Sequence, residues 1–164
     1  MGTISVTGGV RLSSSFKTFA AIEVAGAQTP AAGSTCAEYA KGYEQSAQSG
    51  GGRGFDPPEV HSAKVNDQTM YVSVSIGSGY AGPGTYDSRR DSSLGGYASQ
   101  DVDNPAGIVT TTFESRVHGV TRLTVNADGS GLLNLVDWGS TEVHGATGAG
   151  GVSINASIAW VCQQ

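Results

Sequence analysis

Charge is scarce in this chain. Asp, Glu, Lys and Arg make up only 14% of its 164 residues, against 38% hydrophobic residues. So little charge argues against a solvated, disordered chain and against a helical bundle with ion-paired outer faces. Basic residues are fewest of all. Nine Lys and Arg stand against fourteen Asp and Glu, for a formal net charge of −5. The single adjacent basic pair, Arg89-Arg90, is flanked by Asp87 and Asp91. A nucleic-acid surface needs a basic stripe, and this sequence has none. No apolar run reaches membrane-span length, so no transmembrane segment is expected. The opening "MGTISVTGGV" has neither the basic stretch nor the apolar core of an export signal. Met1-Gly2 reads as a start that replaces a removed signal, the alternative being a genuine cytoplasmic or viral start. G-x-S-x-G, H-E-x-x-H and G-x-x-x-x-G-K-[ST] are all missing, which removes three common routes to catalysis.

Glycine, by contrast, is abundant, with 25 residues, and Ser and Thr are plentiful. Glycine weakens helix interiors, and Ser and Thr favour caps and turns, so short strands with many tight turns suit this composition. In "GVSINASIAWVC", Val152, Ile154, Ala156, Ile158, Trp160 and Cys162 share one parity and Ser153, Asn155 and Ser157 the other. That is a half-buried strand. "TMYVSVSIG" alternates in the same way, as does "FAAIEVAG". "TISVTG", "PEVHSAKV", "GIVTTTF", "GVTRLTV" and "GLLNLVDW" complete the set, punctuated by "VNDQT", "GYAGPGTY", "DNPAG", "ADGSG" and "GATGAGG". The expected fold is all-β: a single β-sandwich, or a barrel-like domain, spanning residues 1–164 with about eight or nine antiparallel strands. "STCAEYAKGYEQS" is expected to form a short helical turn near Cys36, and residues 46–58 and 77–104 to form long loops. The two cysteines, Cys36 and Cys162, are expected to pair, as two cysteines in an exported chain do. Closing so long a loop stabilises by about 4–5 kcal/mol at most.

"VNADGSGLLNLVD" places Asn126, Asp128, Ser130, Gly131, Asn134 and Asp137 at the spacing of a calcium-binding helix-loop-helix. Its flanks, however, have period two, and Asp-Gly between such runs signals a β-hairpin. An extended strand carries Asp137 away from Asp128, so the hairpin reading is preferred.

Other constellations are weaker. Glu59 with His61, and Glu142 with His144, each share a strand face, and with Glu114 and His118 they offer imidazole and carboxylate ligands at generic spacing. Asp101, Asp103 and Asn104 read as a loop that could hold calcium, although such residues more often begin solvated turns. Glu114 with Asp137 or Glu142 is the nearest pair for glycoside hydrolysis. The better binding candidate is "GYAGPGTYDSRR", with Tyr80 and Tyr86 beside Arg89 and Arg90, the alternative being that one or both tyrosines pack back onto the sheet as loop anchors.

"DPPEV", "GYAGPGTY", "LTVNADGSGLLNL" and the closing "SINASIAWVC" give the chain the style of small secreted proteins and lipoproteins of actinobacteria. The last two-thirds is loosely similar to the mycobacterial LpqH-type antigen lipoproteins, although no lipid-modified cysteine stands at the start. That resemblance implies an extracellular, β-rich, non-enzymatic domain and supplies no catalytic residues. The function expected is a secreted or cell-surface binding module for a protein or glycan partner, without nucleic acid. The alternatives are a structural subunit assembled through edge strands such as "GTISVTGGV", and a hydrolase.

Overall fold

Alternation decides which side of each strand faces inward. In the computed structural model, which describes residues 2–8, 12–16, 35–47, 50–65, 68–104, 107–115, 118–144 and 153–162, these residues form twelve strands and one helical turn. In order they are β1 (Gly2–Gly8), β2 (Leu12–Phe16), α1 (Cys36–Tyr39), β3 (Tyr43–Glu44), β4 (Arg53–Gly54), β5 (Val60–Val65), β6 (Gln68–Ile76), β7 (Gly84–Asp87), β8 (Leu94–Asn104), β9 (Gly107–Glu114), β10 (Val120–Val125), β11 (Gly131–His144) and β12 (Ser153–Trp160). The fold is all-β. Ten strands join one sheet through antiparallel pairs, and β3 with β4 forms a small second one. The expected strand "FAAIEVAG" and the turn "GATGAGG" lie outside the described residues.

The main path runs β2-β1-β12-β11-β9-β8-β6-β5, with β10 and then β7 branching from β11. The two ends of that path, β2 and β5, approach each other, so the sheet curls back on itself. The branch point has a local cause. The first half of β11 pairs with β10, from Gly131↔Val125 to Val136↔Val120, and its second half pairs with β9, from Gly139↔Glu114 onward. Between the halves, Val136 and Asp137 together oppose the single residue Asn155 of β12. Asp137 adopts φ +55°, in the left-handed region, and its N–H is taken by Asn155 Oδ1 at 2.9 Å. The extra residue reverses the parity of the strand. Leu133 and Leu135 point inward before the bulge, and Trp138 points inward after it.

One hydrophobic cluster draws on both branches. It joins Tyr86, Leu123, Val125, Leu133 and Leu135 of β7, β10 and β11 to Met70, Val72, Ile76, Leu94, Ala98 and Phe113 of β6, β8 and β9, and includes Ile154, Ile158 and Trp160 of β12.

The hairpin between β10 and β11 holds its Asp-Gly turn as a tight turn. Asn126 N–H donates to Ser130 O, Asp128 Oδ1 accepts from Ser130 N–H and hydroxyl, and Gly129 sits at φ +77°. Asn126, Asp128 and Ser130 of the calcium-like spacing are therefore bonded within the turn, while Asn134 and Asp137 are carried off along β11. The tip of the hairpin packs on the Cys36–Cys162 disulfide: a Cβ on Gly129 would meet Cys36 O at 2.7 Å and Cys162 Cβ at 3.1 Å. Trp160 Nε1 donates to Gly129 O at 2.8 Å. Helix α1 begins with a capping box, Thr35 and Glu38 each bonding the other's backbone N–H. The disulfide thus fastens that helical turn and the end of β12 to the hairpin.

Two expectations are corrected. Residues 77–104 are not one long loop, since β7 and the eleven-residue β8 occupy much of that stretch. β8 is glycine-rich, but it lies between β6 and β9, and pairing on both edges supplies what its propensity lacks. Segment Gly2–Gly8 is not a free edge either, because β1 pairs with β12 on one side and β2 on the other.

Candidate functional site

Tyr80 and Tyr86 are core residues rather than an exposed binding pair. They are 4% and 8% exposed. Their rings continue a stack that runs Tyr39–Phe55–Tyr80–Tyr86, with centroids 4.9, 4.9 and 5.3 Å apart. The Tyr80 hydroxyl donates to Ala40 O, and the Tyr86 hydroxyl to Gly82 O. The reason is long-range. An isolated bridge between Phe55 and Ile76 brings Phe55 under this loop, and the tyrosines close over it.

Arg89 and Arg90 remain at the surface. Arg89 donates from Nε and Nη2 to Asp87 Oδ1 and Oδ2 at 2.9 and 2.6 Å, and Arg122 Nε reaches Asp87 Oδ2 at 3.2 Å. The hydrogen bonds from the Arg89 side chain first, then its backbone N–H and Arg122, hold the Asp87 carboxyl well below the usual carboxylate range. Arg122, on β10 opposite Asp87, is the member of this group that spacing along the chain does not reveal.

The metal candidates are described only in part. Asp101, Asp103 and Asn104 belong to β8 rather than to a loop, and Asp101 Oδ1 accepts the Thr110 hydroxyl at 2.7 Å. The side chains of Asp103, Asn104, His61, Glu142 and His144 lie outside the described residues. Glu59 Oε1 accepts the Ser73 hydroxyl at 2.7 Å. His118 lies over Gly139, where a Cβ would fall 2.1 Å from the ring, and Gly139 pairs with Glu114. Among the described residues no three His, Cys, Asp or Glu side chains converge to hold a metal. For hydrolysis, the register sets Glu142 opposite Thr112, two residues from Glu114, and Asp137 occupies the bulge.

The outward face of β6, β8 and β9 is the more informative surface. Its registers run without a break, from Gln68↔Val102 to Ile76↔Leu94 and from Tyr97↔Glu114 to Asn104↔Gly107. Tyr97 stands in the middle of this face and is 52% exposed. Its neighbours across the strands are Ser73 and Glu114, and along β8 they are Gly95 and Ser99, so small residues leave its ring uncovered on three sides. Tyr71 lies opposite Ser99, a diagonal neighbour of Tyr97 at about 7–8 Å. Glu59, Glu114 and Asp101 carry the charge near the two rings, and Lys64 of β5 lies opposite Thr69 at the rim. Sequence pattern does not single out Tyr97 as a sheet-face residue, because "LGGYASQ" has no clean alternation.

Among the described residues no helix is long and apolar enough to cross a membrane. No family profile, curated protein or solved structure matches the chain.

Proposed function

We propose that the protein is an exported, non-enzymatic binding module of the cell surface, in the style of the LpqH-type lipoproteins, and that its partner is a neutral glycan held on the β6–β8–β9 face. Export is supported by the Cys36–Cys162 disulfide, because such bonds persist in oxidising compartments. The observation that carries the binding reading is Tyr97. A tyrosine half-exposed in the centre of a regular sheet stabilises no core, yet it offers a flat apolar ring with a polar tip. Ionised carboxylates only accept hydrogen bonds, and Ser, Thr and Tyr hydroxyls both donate and accept. A surface of Tyr97, Tyr71, Glu59, Glu114, Ser99 and Thr112 therefore suits a partner rich in hydroxyl donors, stacked on the ring through its C–H face.

Affinity electrophoresis and calorimetry against a panel of neutral oligosaccharides test this. The native chain is expected to bind at least one, Tyr97→Ala to bind it at least tenfold more weakly, and Tyr97→Phe to retain most affinity. Both variants should melt within a few degrees of the native chain, because the ring is not part of the core. Equal binding by Tyr97→Ala, or no binding across the panel, overturns the proposal. Binding of basic peptides in place of sugars also overturns it and points to a protein partner.

A further inference from the structure

A second surface lies on the outward side of the other branch. There a shallow depression of about 340 Å³ is lined by Arg122 of β10, Asn134, Leu135 and Val136 of β11, and Asn155, Ala156 and Ser157 of β12. The registers Arg122↔Asn134 and Asn134↔Ser157 put three of its polar side chains in one row across three strands. Asn155 is fixed at the lower edge by the bulge, because its Oδ1 accepts Asp137 N–H and its amide NH₂ is left as a donor. The side chains of Leu135 and Ala156 are buried in the core, so these residues floor the depression with backbone, and exposed Val136 forms an apolar lip.

Arg122 is oriented rather than loose. Its Nε is bonded to Asp87 Oδ2, while its two terminal amino groups have no partner among the described residues. Neither do the Asn134 amide and the Ser157 hydroxyl. Arg89, Arg90 and Arg122 stand against Asp87, Asp91 and, at the bulge, Asp137, so this corner is charge-balanced on a chain whose net charge is −5. Asp87 is shared between Arg89 and Arg122, and its contact with Arg122 is made at Nε, which leaves the terminal N–H edge of that guanidinium open to a further acceptor.

We infer that this depression is a binding site for a small carboxylate. The planar terminal edge of Arg122 takes the carboxylate through two parallel N–H bonds. Asn134, Asn155 and Ser157 meet hydroxyl or carbonyl groups on the rest of the ligand, and Val136 contacts its apolar part. A planar two-oxygen anion matches one guanidinium edge. A phosphate, with charge on three oxygens, is served better by several converging cations, which this depression does not have. The site is separate from the Tyr97 face and does not depend on it.

Amide chemical-shift titration of the ¹⁵N-labelled chain tests the inference with four probes: glucuronate, glucose, acetate and inorganic phosphate. Glucuronate is expected to give saturable shifts at residues 122, 134–136 and 155–157. Acetate should move the same signals more weakly, and glucose should leave them in place. Arg122→Gln should abolish the glucuronate shifts, with an unchanged spectrum elsewhere reporting an intact fold. Arg122→Lys should weaken binding at least tenfold, because an ammonium cannot make the paired contact. The inference is overturned if glucuronate and glucose act alike, if phosphate binds as well as glucuronate, if Arg122→Lys binds as the native chain does, or if no shift saturates.

Discussion

Replacing Tyr80 separates a core anchor from a binding residue. Its ring is 4% exposed, stacks on Phe55 at 4.9 Å and an interplanar angle of 22°, and touches Tyr86 at 5.3 Å. Truncating a buried aromatic to alanine costs about 3–5 kcal/mol, the lost transfer energy plus the cavity left behind. Removing only the hydroxyl leaves the buried Ala40 carbonyl without its donor, at about 1–2 kcal/mol. A chain of 164 residues unfolds with an entropy of about 0.34 kcal/mol per kelvin, so each kcal/mol moves the melting temperature by about 3 °C. Tyr80→Phe should therefore melt about 3–6 °C lower and Tyr80→Ala about 9–15 °C lower, read by circular dichroism at constant pH. Burial, and after it the neighbouring Tyr86, pushes the Tyr80 phenol up, so the folded state holds this proton more tightly than the unfolded one. Stability should then fall as pH rises past about 10, and Tyr80→Phe should lose part of that fall. A Tyr80→Ala variant that melts within 3 °C of the native chain would refute the anchor role.

Three further outcomes follow from the fold. Reducing the Cys36–Cys162 bond frees a closed loop with a sequence separation of 126. The chain-entropy model puts this at about 5 kcal/mol as an upper bound, so the melting temperature should drop by roughly 6–14 °C at about 3 °C per kcal/mol; a drop under 3 °C would contradict it. Burial raises the Asp56 carboxyl above 3.8, against the opposing Tyr43 hydrogen bond. A raised carboxylate is stabilising while protonated and loses that benefit as pH climbs from 3.8 through its folded value. Asp56→Asn should thus gain on the native chain over that window, and parallel pH–melting curves would show otherwise. At Asp137, with φ +55°, Gly or Asn should be tolerated, whereas Val should cost about 1–2 kcal/mol despite the exposed strand position, since β-branched residues resist the left-handed region. Chemical denaturation ranks the three variants, and Val equal to Asn is the contrary result.

The strands that the sequence announces most clearly are those with one wet face. In β12, Ile154, Ala156, Ile158 and Trp160 are buried and the residues between them are not, as the alternation requires. β6 and β10 are legible for the same reason. β8 is not, because Gly95, Gly96, Ser99 and Asp101 have little strand preference, and neighbours far along the chain decide their state. Gly96 is close enough to β6 that a Cβ would lie 2.1 Å from Ser73 O, a demand that only the paired structure exposes. Tyr80 and Tyr86 are ambiguous in the sequence, which allows either surface contacts or loop anchors. Their Gly-Pro-Gly surroundings look like a surface loop, but Phe55, about 25 residues earlier in the chain, sets their burial. The bulge did leave a trace, since the apolar parity changes from Leu133 and Leu135 to Trp138. The Arg122 depression left none, because it depends on which residues of β7, β10, β11 and β12 stand opposite one another.

The forked strand β11 has a consequence for how the molecule comes apart. It is bonded to β10, β9 and β12, so both branches share it as a common wall. Neither branch can detach and stay whole without uncovering Leu133, Leu135 or Trp138, all essentially inaccessible to solvent. Opening motions that release β5 or β7 at the margins leave this wall closed. Amide protons of residues 133–138 that are bonded within the sheet should therefore exchange with solvent only when the entire chain unfolds, and at a single common free energy.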